Sequence, residues 1–180
     1  MTKDERSSSV PCPSPFVMML VLGIDPGTAT TGYGLVRDTQ AGPALAAYGT
    51  IQTPAGVPMP DRLRTIYHEL KQLIALHGPD TAAVEKLFFQ KNVSTAMTVG
   101  QARGVALLAL AEAGVIVGEY TPRDVKQAVA GYGGADKPQM QQMVRALLNL
   151  SEIPKPDDAA DALAVAICHL HSAKMKALTG

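Results

Sequence analysis

The chain has 180 residues, the length of one domain around one hydrophobic core. Hydrophobic residues make up 47% and charged residues 18%, as in globular proteins. Lysine plus arginine and aspartate plus glutamate both number 16, so the formal net charge is zero. This balance does not favour nucleic-acid binding, but it leaves room for a basic face opposite an acidic pocket.

The composition also excludes a disulfide framework. The two cysteines, Cys12 and Cys168, fall in a predicted tail and a predicted helix, so we expect a reducing compartment, the cytoplasm. The apolar run 16–24 is too short to cross a bilayer. Acidic residues precede the run and no small-residue cleavage site ends it, so we expect neither secretion nor membrane binding. Residues 1–15 contain a serine run and three prolines, which indicate a disordered tail.

The first predicted elements are strands. Residues 17–24 form an apolar run typical of a buried central strand, and 31–37 and 44–53 also have strand composition. The links between them are short and rich in turn residues, so we expect an antiparallel meander.

From residue 61 the apolar spacing changes to that of helices, interrupted by two short strands. This order predicts an α/β, ribonuclease-H-like fold, with a five-stranded mixed sheet and helices on both faces. The domain would cover residues 16–173, followed by a short C-terminal tail, 174–180. The further elements are a helix 61–77, a strand 81–84, a helix 94–113, a strand 115–117, a helix from 122, a helix 137–150 and a last helix 156–172.

An acid interrupts the apolar pattern where the first strand ends. Asp25 follows Gly23 and Ile24, and a carboxylate at the end of a buried strand is costly unless something pairs with it. Pro26 and Gly27 then turn the chain, which places Asp25 at the rim of the sheet. Glycine on both sides leaves room for a ligand to approach.

Three more acids stand in apolar surroundings. Glu85 ends a short strand, and Asp158 and Asp161 share one face of the last helix because they are three residues apart. Each also has an ordinary interpretation: Glu85 as a residue at a strand end, Asp158 as an acid at a helix start, and Asp161 as a buried side chain that makes hydrogen bonds. Together with Asp25 they predict a site for two Mg²⁺ or Mn²⁺ ions per subunit and phosphodiester hydrolysis. Asp157 also shares the face of Asp161, and spacing alone does not choose between Asp157 and Asp158.

With these residues placed, the sequence resembles the RuvC-type Holliday-junction resolvases over most of residues 19–171. The most specific stretches are Gly-Gln-Ala-Arg-Gly at 100–104 and Asp-Ala-Ala-Asp-Ala-Leu-Ala at 158–164. Three others match at 22–34, 84–92 and 125–127. The resemblance implies that the catalytic metal-binding acids are Asp25, Glu85, Asp158 and Asp161, which selects Asp158 over Asp157.

The resemblance also implies an activity and partners. The family is a homodimer that cuts two strands of a four-way DNA junction symmetrically in recombination and repair, leaving 5′-phosphate and 3′-hydroxyl ends. Helix 94–113 would pair with its twin, and the RuvA–RuvB branch-migration complex would be a partner. Phe88 would wedge between junction bases, and Arg103 would contact phosphate or be structural. The further residues expected at the DNA are Lys91, Arg123, Lys126 and Lys137.

Two other classes of protein share part of this pattern. Sugar kinases and actin-like ATPases also place Asp-x-Gly-Thr after a first strand, and residues 25–28 satisfy that motif. They duplicate the fold, however, and one domain of 180 residues cannot form their nucleotide cleft. A binding module of the same fold would not need the complete set of acids.

Overall fold

A computed structural model describes residues 18–86 and 93–179, with five strands and five helices in these ranges. The predicted tail 1–15, Phe88 and Lys91 lie outside the described residues. The elements are β1 Leu20–Asp25, β2 Thr30–Thr39, β3 Gly42–Gln52, α1 Met59–His77, β4 Thr81–Glu85, α2 Val93–Glu112, β5 Ile116–Tyr120, α3 Pro122–Ala130, α4 Lys137–Leu147 and α5 Asp157–Thr179.

The predicted order of elements is confirmed, but the ends of two helices differ from the prediction. Helix α4 ends at Leu147 rather than at residue 150 because Asn149 takes a positive φ of 51°, which ends a helix. Helix α5 continues to Thr179, so most of the predicted tail 174–180 is helical. Lys174 Nζ lies 2.6 Å from Asp38 Oδ1 on β2, an ion pair without aligned hydrogen-bond geometry that ties this extension to the sheet.

The sheet has the strand order β3-β2-β1-β4-β5. Strands β1, β2 and β3 form the predicted antiparallel meander, while β4 and β5 add in parallel to β1 and to each other. The predicted five-stranded mixed sheet is therefore confirmed. Strand β5 is longer than predicted, because the β4 ladder continues to the pair Glu85 and Tyr120.

Two hydrophobic cores lie on opposite faces of the sheet, because successive strand residues point to opposite faces. On β1, Val21 faces the core formed with α3, α4 and α5, whereas Leu22 and Ile24 face the core formed with α1 and α2. Helices thus cover both faces, as predicted. None of the helices in the described ranges is both long and apolar enough to cross a membrane.

Glycines allow α5 to lie directly against the sheet. A Cβ atom on Gly23 would stand 2.1 Å from the carbonyl oxygen of Ala162, and one on Gly32 would stand 2.0 Å from that of Asp158. Gly32 pairs with Asp25 across β1 and β2. The first turn of α5 is therefore seated beside the strand end that carries Asp25.

We predict that Gly23→Ala destabilises the protein, because its methyl group would overlap the backbone of α5. Overpacking of a core costs about 1–3 kcal/mol in free energy of unfolding, occasionally more. Urea denaturation measures the change. Gly134→Ala is the control, since its Cβ would meet Tyr132 at an ordinary 3.6 Å, and its free energy should change by less than about 0.5 kcal/mol. Equal stability of the two variants would contradict the tight packing of α5.

Candidate active site

A pocket of about 210 Å³ opens at the carboxyl ends of β1 and β4. Ile24 and Val84 pair in parallel, so the residues that follow them, Asp25 and Glu85, meet at one edge of the sheet. The polar residues that line the pocket are Asp25, Glu85, Lys126, Lys137 and Asp161. The apolar residues that line it are Pro122, Val125, Met140, Ala164 and Val165. The structure therefore brings three of the four predicted acids into one pocket.

The loop after Asp25 is held by hydrogen bonds from both sides. The Thr31 hydroxyl donates to the carbonyl of Gly27 at 2.7 Å, and the backbone N–H of Thr53 donates to the carbonyl of Ala29 at 3.0 Å. Arg62 Nε in turn donates to the Thr53 hydroxyl at 2.7 Å. This network fixes the turn that Pro26 and Gly27 were predicted to make.

The fourth acid, Asp158, lies close enough to act electrostatically but does not line the pocket. It stands in the first turn of α5, one turn before Asp161, and both side chains are half-buried. Its negative charge is one cause of the raised pKa of Asp25. Asp157 is not among those causes.

Burial and mutual repulsion make the carboxylates of the pocket hard to ionise. The pKa of Asp25 rises from 3.8 to about 7, first because of burial and then because of the negative charges of Asp161, Glu85 and Asp158. Burial also raises the pKa of Glu85, with the charge of Asp161 adding to the effect. The pKa of Asp161 is raised by burial as well. Added positive charge would therefore stabilise this pocket.

Lys137 supplies part of that positive charge. Its Nζ lies 3.0 Å from Asp157 Oδ2 and 3.4 Å from Asp161 Oδ2, and it lowers the pKa of Asp157. Gln141 Nε2 donates to the other oxygen of Asp157 at 2.9 Å. Asp157 is thus an exposed lysine partner whose charge acts on Asp161, whereas the charge of Asp158 acts on both Asp25 and Asp161, which supports Asp158 as the fourth acid of the site.

Capping boxes fix the helices that carry the two pocket lysines. At the start of α3, the Thr121 hydroxyl accepts a hydrogen bond from the Asp124 N–H, and the Asp124 carboxylate accepts one from the Thr121 N–H. Asp136 and Gln139 make the same exchange at the start of α4, where Lys137 is the first helical residue. Lys126 and Lys137 are therefore held at the pocket by local sequence signals.

Arg123, a further predicted DNA contact, lies outside the pocket. Arg123 is exposed on α3, where its side chain packs against Gly133, and it does not line the pocket. A Cβ atom on Gly133 would stand 2.7 Å from Arg123 Cγ. Phe88 and Lys91 lie outside the described residues.

Arg103 and Glu119 form an ion pair that the sequence does not predict. Arg103 Nε donates to the backbone carbonyl of Glu85 at 3.2 Å, and its guanidinium pairs with the Glu119 carboxylate. The Gly-Gln-Ala-Arg-Gly block drew attention to Arg103 but left its role open. Nothing in the sequence indicated Glu119, which is one polar residue on an edge strand.

The side chains suit a hard divalent cation by their chemistry. The acids of the pocket offer carboxylate oxygens, which Mg²⁺ and Mn²⁺ prefer, and burial together with like charges raises the pKa values of Asp25 and Glu85. Within residues 18–86 and 93–179, no three side chains of histidine, cysteine or acid type are close enough together to hold a metal ion. Repulsion among the acids and the pairing of Lys137 with Asp161 are consistent with this open arrangement.

Comparison with known proteins places this chain in a family. The family model described as crossover junction endodeoxyribonuclease RuvC matches residues 21–169. The enzyme of that name from Chloroflexus aurantiacus is 63% identical over 155 residues, covering 86% of this chain and 94% of the relative. The one from Desulfitobacterium hafniense is 60% identical over 157 residues, covering 87% and 95%.

A solved structure agrees with the sequence relatives. RuvC from Thermus thermophilus in complex with a Holliday junction substrate has a TM-score of 0.83 and 38% identity, and the match covers 88% of this chain and 96% of that one. The fold is therefore ribonuclease-H-like, as predicted, and the protein is a metal-dependent nuclease. The chain belongs to the RuvC family of crossover junction endodeoxyribonucleases.

The raised pKa of Asp25 predicts how the stability of the metal-free protein depends on pH. The native state holds the Asp25 proton up to about pH 7, whereas the unfolded chain loses it near pH 4. Between these values the native state binds more protons, so stability falls as pH rises and levels off above pH 7. Asp25→Asn removes this loss. The free energy of unfolding of the variant, relative to that of wild type, should therefore be higher at pH 8 than at pH 5 by more than about 1 kcal/mol.

Urea denaturation in EDTA at pH 5 and pH 8 measures that difference. Asp61→Asn is a matched control, because Asp61 lies outside the pocket, half-buried on α1 and paired with Arg64 at 3.1 Å. Its stability relative to wild type should be the same at both pH values. An equally constant difference for Asp25→Asn would contradict the raised pKa.

Proposed function

We propose that this protein resolves four-way Holliday junctions in DNA recombination and repair, cutting two strands symmetrically by metal-dependent hydrolysis. One observation carries the proposal: in a RuvC-family fold, Asp25, Glu85 and Asp161 line one pocket and the charge of Asp158 reaches it. The products would be nicks with 5′-phosphate and 3′-hydroxyl ends. A four-way junction is the substrate in the complex of the Thermus thermophilus relative.

Asp25, Glu85, Asp158 and Asp161 would hold two Mg²⁺ or Mn²⁺ ions per subunit. When bound, such a pair supplies an activated water and stabilises the leaving oxygen. The protein's own contribution is to hold four carboxylates together at strand and helix ends, where bound cations would offset their mutual repulsion. Repulsion from the acids would otherwise keep a phosphodiester out of the pocket.

The lysines would offset that repulsion. Lys126 and Lys137 line the pocket, and their charges lower the pKa values of Glu85 and Asp25 respectively. Both would contact a phosphate that approaches the acids, and Arg123 and Lys91 would extend this contact along the DNA backbone. Such contacts set affinity and its salt dependence and carry no base information. Phe88 would add the wedge between junction bases.

Symmetric cutting needs two active sites, and the exposed face of α2 is suited to pairing two subunits. Met97 and Leu108 are 64% and 53% exposed there, although both are large and apolar. Gly104 lies between them, and a Cβ atom there would meet nothing within 4 Å. A twin helix could therefore approach closely. We place the resulting homodimer in the cytoplasm, where the RuvA–RuvB complex would deliver the junction.

Nicking of a synthetic four-way junction tests the activity. Wild type should cut it only with Mg²⁺ or Mn²⁺, and Asp25→Asn should cut it more than about 100-fold more slowly, since even partners of metal ligands cost about 10–100-fold. Junction binding should survive or tighten, because one negative charge near the phosphates is lost. Asp61→Asn should cut at the wild-type rate. Normal cleavage by Asp25→Asn would contradict the proposed metal site.

Metal binding can also be measured without DNA. A ligand that binds only the native state stabilises it, so Mg²⁺ or Mn²⁺ should raise the melting temperature of wild type more than that of Asp158→Asn/Asp161→Asn. Asp157→Asn should keep the wild-type rise, because Asp157 pairs with Lys137 and Gln141. If Asp157→Asn lost the rise and Asp158→Asn kept it, the fourth ligand would be Asp157.

A further inference from the structure

Arg103 connects the helix α2 to the strand end that carries Glu85. Its Nε donates to the backbone carbonyl of Glu85 at 3.2 Å, and its guanidinium pairs with the carboxylate of Glu119 on β5. The Arg103 side chain is only 19% exposed. A largely buried guanidinium with two acceptors on two strands is a fixed structural contact rather than a solvated surface charge.

The main chain at Glu85 needs such a contact because the sheet ends there. Glu85 is the last residue of β4, and the N–H of Lys86 donates to the carbonyl of Tyr120 at 2.7 Å. This bond holds the peptide on the β5 side. The carbonyl of Glu85 accepts from Arg103 instead, so the same peptide is held from both directions.

The hydrogen bond of Arg103 at Glu85 is to the backbone carbonyl and not to the carboxylate. The cation that opposes the raised pKa of Glu85 is Lys126, which lines the pocket, and Arg103 is not among the causes of the shift. The contact of Arg103 is with the backbone, and Glu119 compensates its charge. Its influence on the pocket is therefore one of geometry.

We propose that Arg103 is a positioning residue for DNA cleavage: with Glu119 it fixes the main chain at Glu85, so that the carboxylate is held ready for the metal. The inference rests on the proposed function, because it assumes that Glu85 is a metal ligand. It also gives α2, the helix proposed to pair two subunits, a direct contact with the metal site of its own subunit.

The proposal requires an arginine and not merely a positive charge. The guanidinium fork presents several N–H groups in one plane, so it can serve the Glu85 carbonyl and the Glu119 carboxylate together. A lysine side chain in the same place is shorter than that of arginine, and its ammonium group is a compact charge without the planar fork. Arg103→Lys should therefore keep the ion pair with Glu119 and lose the hold on Glu85.

The experiment compares Arg103→Gln, Arg103→Lys and Glu119→Gln with wild type. Mn²⁺ alone is titrated against the melting temperature of each protein, and junction cleavage is measured in single turnover at saturating enzyme over the same metal range. Both Arg103 variants should need about tenfold more metal in the two assays, the scale expected when a ligand loses its support. Glu119→Gln should shift the metal requirement in the same direction by less. Junction affinity in EDTA should change less than about threefold.

Lys71→Gln is the matched control. Lys71 also makes a salt bridge to α2, at 3.1 Å from Glu112, but this bridge lies on α1 and α2 and outside the pocket. The control should leave the metal requirement unchanged. It separates the effect of the Glu85 contact from the loss of any cation that bridges to α2.

Several results would overturn the proposal. An unchanged metal requirement in both Arg103 variants would do so, as would full rescue by Arg103→Lys, because charge alone would then suffice. Weaker junction binding with a normal metal requirement would make Arg103 a phosphate contact. If Arg103→Gln does not fold, Arg103→Lys and Glu119→Gln decide. Wild type that neither cuts junctions nor responds to metal would overturn the proposed function as well, whereas active wild type confines the failure to Arg103.

Discussion

The close approach of α5 to the sheet is the constraint on which the rest of the structure depends. Backbone atoms of α5 occupy the space that side chains at Gly23 and Gly32 would fill. Any larger residue at these positions would push the helix outward and carry its first turn away from the strand ends. Acids from a strand and a helix far apart in sequence therefore share a site because two glycines leave room for the helix.

This arrangement has an electrostatic cost. Desolvation and like charges oppose ionisation of the acids, and the pKa of Asp25 near 7 is the clearest sign. A fold shaped only for stability would have placed a neutral residue at the end of β1. The conflict between local stability and the retained charge is characteristic of functional sites, where the energy is recovered when a ligand of opposite charge binds.

Much of this could be predicted from the sequence because the signals are local. Hydrophobic period and turn residues indicate the order of elements, and Asp25 and Glu85 stand out as acids that end apolar runs. Their meeting at one pocket depends on the parallel pairing of β1 with β4, which only the structure shows. The role of Gly32 could not be read in the same way, since its neighbour Asp158 is more than a hundred residues away. The pairing of Arg103 with Glu119, which are 16 residues apart, was hidden for another reason: each is an ordinary polar residue until α2 and β5 are placed side by side.

The bridge from Lys137 to Asp157 and Asp161 has a consequence for how the site is filled. The Lys137 ammonium acts as a counter-ion fixed to the fold, so a divalent cation that bound Asp161 would have to displace it. Asp157 lies to one side and can retain the displaced ammonium by its own salt bridge. The net charge of the pocket would then rise, and the lysine would remain near an incoming anion. Cation binding and anion binding would in this way be parts of one ion-exchange equilibrium.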